Sequence, residues 1–235
     1  CEEESFLAFK HVGAAPEKVH LNQLDSGRRR LDDYHILFIP GGFSSGDYIR
    51  AGAIFASRFK ARHGKELKQF VENGRLVLGV CNGFQVLVEM GLLPAVDEIM
   101  AEVPVAALTT NDSGRFECRP TLLKHVNNGK CAFTSKIPKD KVLLIPSAHA
   151  EGKLTFPYQE EEYYLGKLIE QDQIVIRYVD PNGVYAGYPW NPNGSIYNIA
   201  GMCNRTGNVL GMMPHPERVF FRYQHPDWTR TGLGD

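Results

Sequence analysis

The stretch that decides the fold is Gly79-Val80-Cys81-Asn82-Gly83-Phe84-Gln85, which follows the apolar run Arg75-Leu76-Val77-Leu78. The apolar run predicts a buried strand, and the residues from Phe84 onward have a helical pattern. Cys81 therefore lies at a strand-to-helix corner, with one glycine two residues before it and another two residues after it. This is the layout of a nucleophile elbow with sulfur in place of a serine oxygen, in which a Cβ at either glycine would crowd the turn.

The sequence before the elbow has alternating strand and helix patterns. The continuous apolar run His35-Ile36-Leu37-Phe38-Ile39 ends at Pro40-Gly41-Gly42, and a helical stretch from about Ala53 to Glu72 separates it from the elbow strand. Continuous apolar strands joined through helices predict an α/β protein with a doubly wound, mostly parallel sheet. Because sites in such sheets lie at the carboxyl ends of the strands, Pro40–Gly42 and Cys81 are expected to share one site.

After about residue 101 the pattern changes to shorter strand candidates separated by turns. A helix is expected near Glu162–Glu170, another over Glu3 to Val12, and a short strand at Lys18-Val19-His20-Leu21. The additional β-strands predicted in the second half are Phe116–Leu123, Val142–Ile145, Ile174–Val179, Ile196–Met202 and Val209–Met212. No repeat or domain boundary interrupts the pattern, so residues 1–235 are interpreted as a single domain.

Composition excludes several classes of function. The chain has 235 residues, a net charge of −1 and 43% hydrophobic residues, which fits a soluble globular domain and gives no electrostatic footprint for nucleic acid. No apolar run approaches membrane-spanning length, and no secretory signal pattern is present. Five cysteines without CxxC spacing argue against a disulfide framework and a zinc site, and they favour the cytoplasm. The eight histidines lack ligand spacing, so no metal is assigned.

A base for the Cys81 thiol is available far downstream, in Met213-Pro214-His215-Pro216-Glu217-Arg218. A cysteine and a distant histidine are the sequence form of a thiol–base pair, because the two meet in space. Glu217 would share a face with His215 if the segment is extended, and the prolines discourage helix there. Taken alone, an apolar cysteine is usually a core residue and a histidine between prolines is usually a turn residue. Taken together, they favour catalysis.

These motifs resemble the class I, triad-type glutamine amidotransferases, and within that class the glutaminase component of phosphoribosylformylglycinamidine (FGAM) synthase from purine biosynthesis. The resemblance covers nearly the whole chain and runs through Pro40–Ser44, Gly46-Asp47-Tyr48, Gly79–Gln85, Gly114-Arg115-Phe116-Glu117, Ala148-His149 with Glu151-Gly152, and Gly211–Arg218. The Gly-x-Cys-x-Gly element marks the broad class, whereas the Met-Pro-His-Pro-Glu-Arg string is specific to the purine enzyme. The implied architecture is the flavodoxin-like fold of that class.

The resemblance also implies residue roles, and the catalytic ones fall on three residues. Cys81 would be the nucleophile, His215 would act as general base and then as general acid, and Glu217 would orient the imidazole. With these roles, the chain would hydrolyse L-glutamine to glutamate and ammonia through a glutamyl thioester on Cys81.

Five further residues would bind the substrate or its oxyanion, according to the same resemblance. The oxyanion hole would consist of the backbone N–H groups of Gly42 and Asn82. Gln85 and Gly41 would help to hold glutamine. His149 lies in a family motif; a contact with the substrate or with a partner and an ordered turn without either contact are equally good interpretations for it. Arg115, Phe116 and Arg218, which lie in the same motifs, are expected to be structural or interface residues.

The resemblance implies partners as well. Ammonia would pass to a synthetase, as a separate subunit or a fused domain and with a small accessory subunit, which uses ATP and Mg to convert formylglycinamide ribonucleotide to its amidine. The chain itself has no GxxxxGK[ST] phosphate loop, so no cofactor is expected in it. Family members place a strand before the position of Cys1, so we expect that this strand is missing here and that a strand edge is exposed.

Two alternatives stay open at the level of sequence. One is a cysteine hydrolase or peptidase that carries a thiol at the same kind of elbow, and the other is a regulatory module with a silent site. Release of ammonia from glutamine rather than cleavage of peptides separates the first alternative from the glutaminase. The presence of Cys81, His215 and Glu217 together argues against the second.

Overall fold

The computed structural model describes residues 1–44 and 50–230. The strands are β1 Ile36–Ile39, β2 Leu76–Val80, β3 Ala107–Thr109, β4 Glu117–His125, β5 Val142–His149, β6 Lys153–Thr155, β7 Ile174–Val179, β8 Ile199–Cys203 and β9 Val209–Met212. The helices are α1 Glu2–His11, α2 Leu21–Asp25, α3 Ala53–Glu72, α4 Asn82–Glu89 and α5 Glu161–Glu170. In this part of the chain, no helix combines the length and the apolar content needed to cross a lipid bilayer.

The strands form a seven-stranded sheet in the order β1-β2-β9-β8-β7-β4-β5 and a separate two-stranded sheet of β3 and β6. β1, β2 and β9 are parallel neighbours, whereas the ladders from β9 through β5 are antiparallel. The predicted α/β class is confirmed. The parallel character is concentrated in the three strands that surround the elbow, and the sheet as a whole is mixed.

α3 connects β1 to β2 and makes their parallel pairing possible, since parallel neighbours need a long crossover. Its buried side chains, which include Phe59, Leu67 and Phe70, recur at spacings typical of one helix face and pack into the core. The helix ends before Gly74, whose φ of 73° is the left-handed conformation that glycine adopts at helix ends. The predicted boundaries of this helix and of the strand that follows it are confirmed.

The predicted strand at Lys18–Leu21 is wrong, because this segment leads into α2. The side chain of His20 accepts a hydrogen bond from the Asn22 N–H, and Gln23 accepts one from the His20 N–H, which caps the helix on both sides. The short β3–β6 ladder was not predicted, since three-residue strands carry too few residues to show alternation.

β1 forms one edge of the sheet and pairs only with β2 among the described residues. A groove of about 210 Å³ lies between α1 and the face formed by β1 and β2, and apolar side chains such as Phe9, Phe38 and Phe220 line it.

Candidate active site

Cys81 occupies the corner between β2 and α4, where the chain reverses direction. Its backbone has φ of 51° and ψ of −109°, a conformation that residues other than glycine rarely adopt. Such strain persists only where the surroundings enforce it, and it is frequent at catalytic positions. The side chain is largely buried, and the thiol points to the Ala148 carbonyl at an Sγ–O distance of 3.7 Å.

The two elbow glycines allow α4 to lie directly against the sheet. A Cβ at Gly79 would be 2.6 Å from the Gly83 carbonyl oxygen, and a Cβ at Gly83 would be 1.9 Å from the Ile39 carbonyl oxygen. Both distances are far shorter than any tolerated contact, so neither position accepts a side chain without displacement of the backbone. The steric reason predicted for these glycines is therefore confirmed.

His215 and Glu217 lie in the turn that follows β9. The backbone N–H of His215 donates to the Pro146 carbonyl of β5 at 2.8 Å. The imidazole Nδ1 of His215 lies 2.7 Å from Glu217 Oε1, and both side chains are almost completely buried. The predicted extended conformation is wrong, because Pro216–Val219 is a 3₁₀-helix. Proline is tolerated at the first position of a helical turn, where its missing N–H has no partner to lose.

The side chains of Cys81 and His215 both lie against the backbone of Gly41. A Cβ at Gly41 would be 2.8 Å from His215 Cε1 and 3.3 Å from Cys81 Cβ. The turn after β1 therefore contacts both side chains, and residues from opposite halves of the chain converge at one point. The carboxyl ends of β1 and β2 share a site, as the sequence predicts for such sheets.

The electrostatics of His215 favour its protonated form. Burial alone would lower its pKa, but the neighbouring Cys81 and Glu217 outweigh burial and raise the pKa to about 9. The Cys81 thiol nevertheless donates to Ala148, and within the described residues no group has hydrogen-bond geometry with His215 Nε2. Such bonds are often loose before substrate binds, so we expect the Cys81–His215 contact to tighten in the complex.

Asn82 connects the elbow to the turn after β1. Its side-chain oxygen accepts from the Ser44 N–H at 3.2 Å and from the Ser44 hydroxyl at 2.6 Å, and its amide nitrogen donates to Gln85 at 2.9 Å. Its backbone N–H belongs to the first residue of α4. Gly42 has φ of 140°, which favours glycine. That the N–H groups of Gly42 and Asn82 bind the oxyanion stays a prediction.

Gln85 anchors the segment that follows β5. Its amide nitrogen donates to the Glu151 carbonyl at 2.6 Å, and the Glu151 carboxylate in turn accepts from the Ala51 N–H at 3.1 Å. Gln85 is buried, so these contacts fix the position of the chain beyond His149. A direct contact between Gln85 and glutamine stays a prediction.

His149, at the end of β5, is buried and tied to Asn111. Its Nδ1 lies 3.2 Å from Asn111 Oδ1, and the Asn111 amide nitrogen donates to the carbonyls of His149 at 2.8 Å and Arg115 at 2.9 Å. Burial, reinforced by the positive charge of His215, lowers the pKa of His149 to about 4. Within the described chain, its Nε2 has no hydrogen-bond partner.

A buried polar network behind His149 was not predicted from the sequence. The hydroxyls of Thr121 and Ser147 lie 3.1 Å apart, and Asn193 donates to the Tyr178 hydroxyl at 3.3 Å. Burial raises the pKa of Tyr178, whose hydroxyl also interacts with Ser147. No sequence signal identifies this network, because the residues are common types that are far apart along the chain.

Other motif residues have structural contacts. Arg218 donates to Cys1 Sγ at 3.1 Å, and one ligand atom each of Cys1, His215 and Glu217 lies within 4.8 Å of the others. The imidazole and the carboxylate of this group are hydrogen-bonded to each other, so we assign no metal to it. Phe116 is exposed at the surface. Gly46-Asp47-Tyr48 lies outside the described residues.

Comparison with known proteins identifies the family of the chain. The model of the CobB/CobQ-like glutamine amidotransferase domain matches residues 1–234. Phosphoribosylformylglycinamidine synthase subunit PurQ of Archaeoglobus fulgidus is 54% identical over 243 aligned positions, which cover 100% of this chain and 88% of the relative. The protein of the same name from Picrophilus torridus is 51% identical, with coverage of 95% and 84%.

A solved structure agrees with these relatives. A chain in the structure of PurLQS from Thermotoga maritima is 34% identical and superposes with a TM-score of 0.72, covering 97% of this chain and 87% of that chain. The extent and the identity of these matches leave one conclusion: the chain belongs to the CobB/CobQ-like glutamine amidotransferase family.

Proposed function

We propose that this chain is the glutaminase component of phosphoribosylformylglycinamidine synthase, in de novo purine biosynthesis. The observation that carries the proposal is the convergence of Cys81, His215 and Glu217 at an elbow, in a chain whose relatives at 54% and 51% identity are named as subunits of that synthase. A thiol, a base and an orienting carboxylate are the parts of a triad that hydrolyses an amide through a covalent intermediate.

The proposed reaction begins when His215 takes the thiol proton of Cys81. The sulfur attacks the side-chain amide carbon of L-glutamine, and Glu217 stabilises the imidazolium that results. The N–H groups of Gly42 and Asn82 hold the developing oxyanion, an interaction whose loss typically costs about 3 kcal/mol of transition-state stabilisation. Gln85 and Gly41 shape the pocket that receives glutamine.

Breakdown of the tetrahedral intermediate uses the proton held by His215. The imidazolium protonates the departing nitrogen, which leaves as ammonia, and a glutamyl thioester remains on Cys81. Water, deprotonated by His215, then hydrolyses the thioester to glutamate and restores the thiol. The raised pKa of His215 supports this role, since it favours transfer of the Cys81 thiol proton to the imidazole and keeps the resulting imidazolium available to protonate the leaving nitrogen.

The ammonia is proposed to pass to a synthetase component that uses ATP and Mg to convert formylglycinamide ribonucleotide to its amidine. The likeness to a chain in the structure of PurLQS from Thermotoga maritima supports an assembly with a synthetase. A small accessory subunit is a further part of the proposal. We place the reaction in the cytoplasm, which fits five cysteines without the spacing of a disulfide framework.

The test is release of glutamate from glutamine by the chain alone and in a mixture with the cognate synthetase. We expect low activity alone and a large increase in the complex, abolished in Cys81→Ser. Cys118→Ser, which alters an exposed free thiol, is the matched control and should retain full activity. Peptide cleavage without glutamine hydrolysis would favour a peptidase, and inactivity in both states would indicate a silent module; either result would refute the proposal.

A further inference from the structure

His149 Nε2 is a buried polar atom without a hydrogen-bond partner in the described structure. The residue is 3% exposed, so water does not compensate the atom freely. An unsatisfied buried polar group costs free energy, and most such groups in folded proteins have partners. Because the imidazole of His149 also lies close enough to His215 for their charges to interact, the missing partner is attributed to a ligand of the same site.

Asn111 determines which nitrogen of His149 carries the proton. Both hydrogens of the Asn111 amide are used, because its nitrogen donates to the carbonyls of Arg115 and His149. Its oxygen therefore faces His149 Nδ1 and the Gly152 N–H, and an oxygen only accepts. Nδ1 consequently holds the hydrogen, and Nε2 presents a lone pair.

The imidazole also stays neutral during turnover. Burial and the positive charge of His215 hold the pKa of His149 at about 4, far below neutral pH. The charge of His215 contributes to this shift because two like charges in one buried site repel each other. His149 Nε2 is therefore an acceptor for an N–H group and does not act as a donor to an oxyanion.

The position of β5 indicates which N–H group it accepts. The carbonyl of Pro146 binds the His215 N–H, and the carbonyl of Ala148 accepts from the Cys81 thiol. The strand end thus borders both reacting side chains, and His149 is the next residue. We propose that His149 Nε2 accepts a hydrogen bond from the carboxamide nitrogen of glutamine and keeps this bond to the departing ammonia. This role rests on the proposed function.

The step requires no additional proton. The Cys81 thiol proton passes to His215 and from there to the carboxamide nitrogen, the C–N bond breaks, and the C–S bond of the thioester is in place. Ammonia leaves with three hydrogens, one of which is hydrogen-bonded to His149. Because His149 is a far weaker base than ammonia, it orients the nitrogen without taking its proton.

The experiment compares two substrates with the full chain in its synthetase complex. Glutamine has carboxamide hydrogens, whereas γ-glutamyl methyl ester has the same α-amino acid portion but a leaving group without N–H. In His149→Asn, the new amide nitrogen replaces Nδ1 and preserves the bond to Asn111, while the acceptor at Nε2 is lost. We expect kcat/KM to fall about tenfold for glutamine, the usual value of one hydrogen bond, and less than about twofold for the ester.

His149→Gln is the matched variant, because its side-chain amide reaches the Nε2 position and should recover part of the glutamine activity. Equal losses for both substrates would overturn the inference, since they would indicate a structural role or a contact with the α-ammonium. The inference would also be overturned if kcat/KM for glutamine did not fall in His149→Asn. The same holds if both variants lost activity with glutamine selectively and by the same factor. Wild-type turnover in the same assay tests the proposed function separately.

Discussion

The two parts of the sheet position their active-site residues by different physical means. In the parallel part, β2 and α4 fix Cys81 by close backbone packing, which requires that Gly79 and Gly83 have no side chains. In the antiparallel part, β5 and its neighbours fix His149 by hydrogen bonds between buried polar groups. Adding a side-chain atom disrupts a residue that is placed by close packing. Removing a hydrogen-bonding group disrupts a residue that is placed by hydrogen bonds.

The same contrast separates the two buried histidines. His215 and His149 are both almost inaccessible to water, and burial disfavours the charged form of each. The pKa of His215 is nevertheless raised, because Cys81 and Glu217 stabilise its positive charge. The pKa of His149 is lowered by burial, and the positive charge of His215 adds to this effect. These opposite pKa shifts fit the roles proposed for the two imidazoles, an acid–base catalyst at His215 and a neutral acceptor at His149.

The largest expected effect tests this division of roles. His215→Asn removes the acid–base group, and we expect kcat for glutamine hydrolysis to fall by roughly 10²–10⁴-fold, against about tenfold for His149→Asn. Both variants are measured in the synthetase complex, together with covalent labelling of Cys81 by a glutamine-analogue electrophile. Comparable losses in the two variants, or full labelling in His215→Asn, would contradict the proposed roles.

Gly83→Ala tests the packing of the elbow. The added Cβ would be 1.9 Å from the Ile39 carbonyl oxygen, so α4 or β1 has to move. We expect a loss of about 3 kcal/mol in the free energy of unfolding, at the upper end of overpacking effects, measured by urea denaturation.

Gly166→Ala is the matched control for this packing test, because Gly166 is also helical but nothing lies within 4 Å of its added Cβ. Alanine has a higher helix propensity than glycine, so the free energy of unfolding of this control variant should rise by about 1 kcal/mol. A neutral or stabilising Gly83→Ala would show that the elbow does not depend on close packing.

Asn193→Ala tests the hydrogen-bonded part. Asn193 is fully buried; its amide nitrogen donates to the Tyr178 hydroxyl, and its oxygen accepts from the Ser195 N–H at 3.0 Å. Removing it leaves both groups buried without these partners, and we expect a loss of about 2 kcal/mol in unfolding free energy. Asn182→Ala, at an exposed turn position, should change stability by less than about 0.5 kcal/mol. Equal effects at the two positions would argue that the buried network adds no stability.

The contrast also explains what the sequence could predict. The elbow was predictable because glycine at fixed offsets from a cysteine is a distinctive pattern, and the partner histidine was predictable because prolines and a glutamate surround it. The 3₁₀ conformation of Pro216–Val219 was not, since proline fits both an extended segment and a first helical turn. The contact of His149 with Asn111 joins residues 38 positions apart, and no local pattern indicates such a pairing.

The smallest expected effect is a shift in pH dependence. Glu217 helps to raise the pKa of His215 to about 9, and the imidazolium must be present to protonate the leaving nitrogen. Glu217→Gln removes the charge but retains an acceptor for Nδ1, so the pKa of His215 falls. We expect the alkaline limb of the kcat/KM profile to move to lower pH, while Glu170→Gln, at an exposed site on α5, leaves it in place.

The pH dependence of stability provides a second test of the effect of the Glu217 carboxylate on His215. Because the folded-state pKa of His215 lies above its ordinary value near 6.5, the interaction contributes full stability below that pH and loses it as pH rises through about 9. Urea denaturation between pH 6 and pH 10 should therefore show a weaker decline with pH in Glu217→Gln than in the wild type. An unchanged decline, together with an unmoved alkaline limb, would mean that the Glu217 carboxylate does not set the charge of His215. The opposite pKa shifts of His215 and His149 would then require another physical cause.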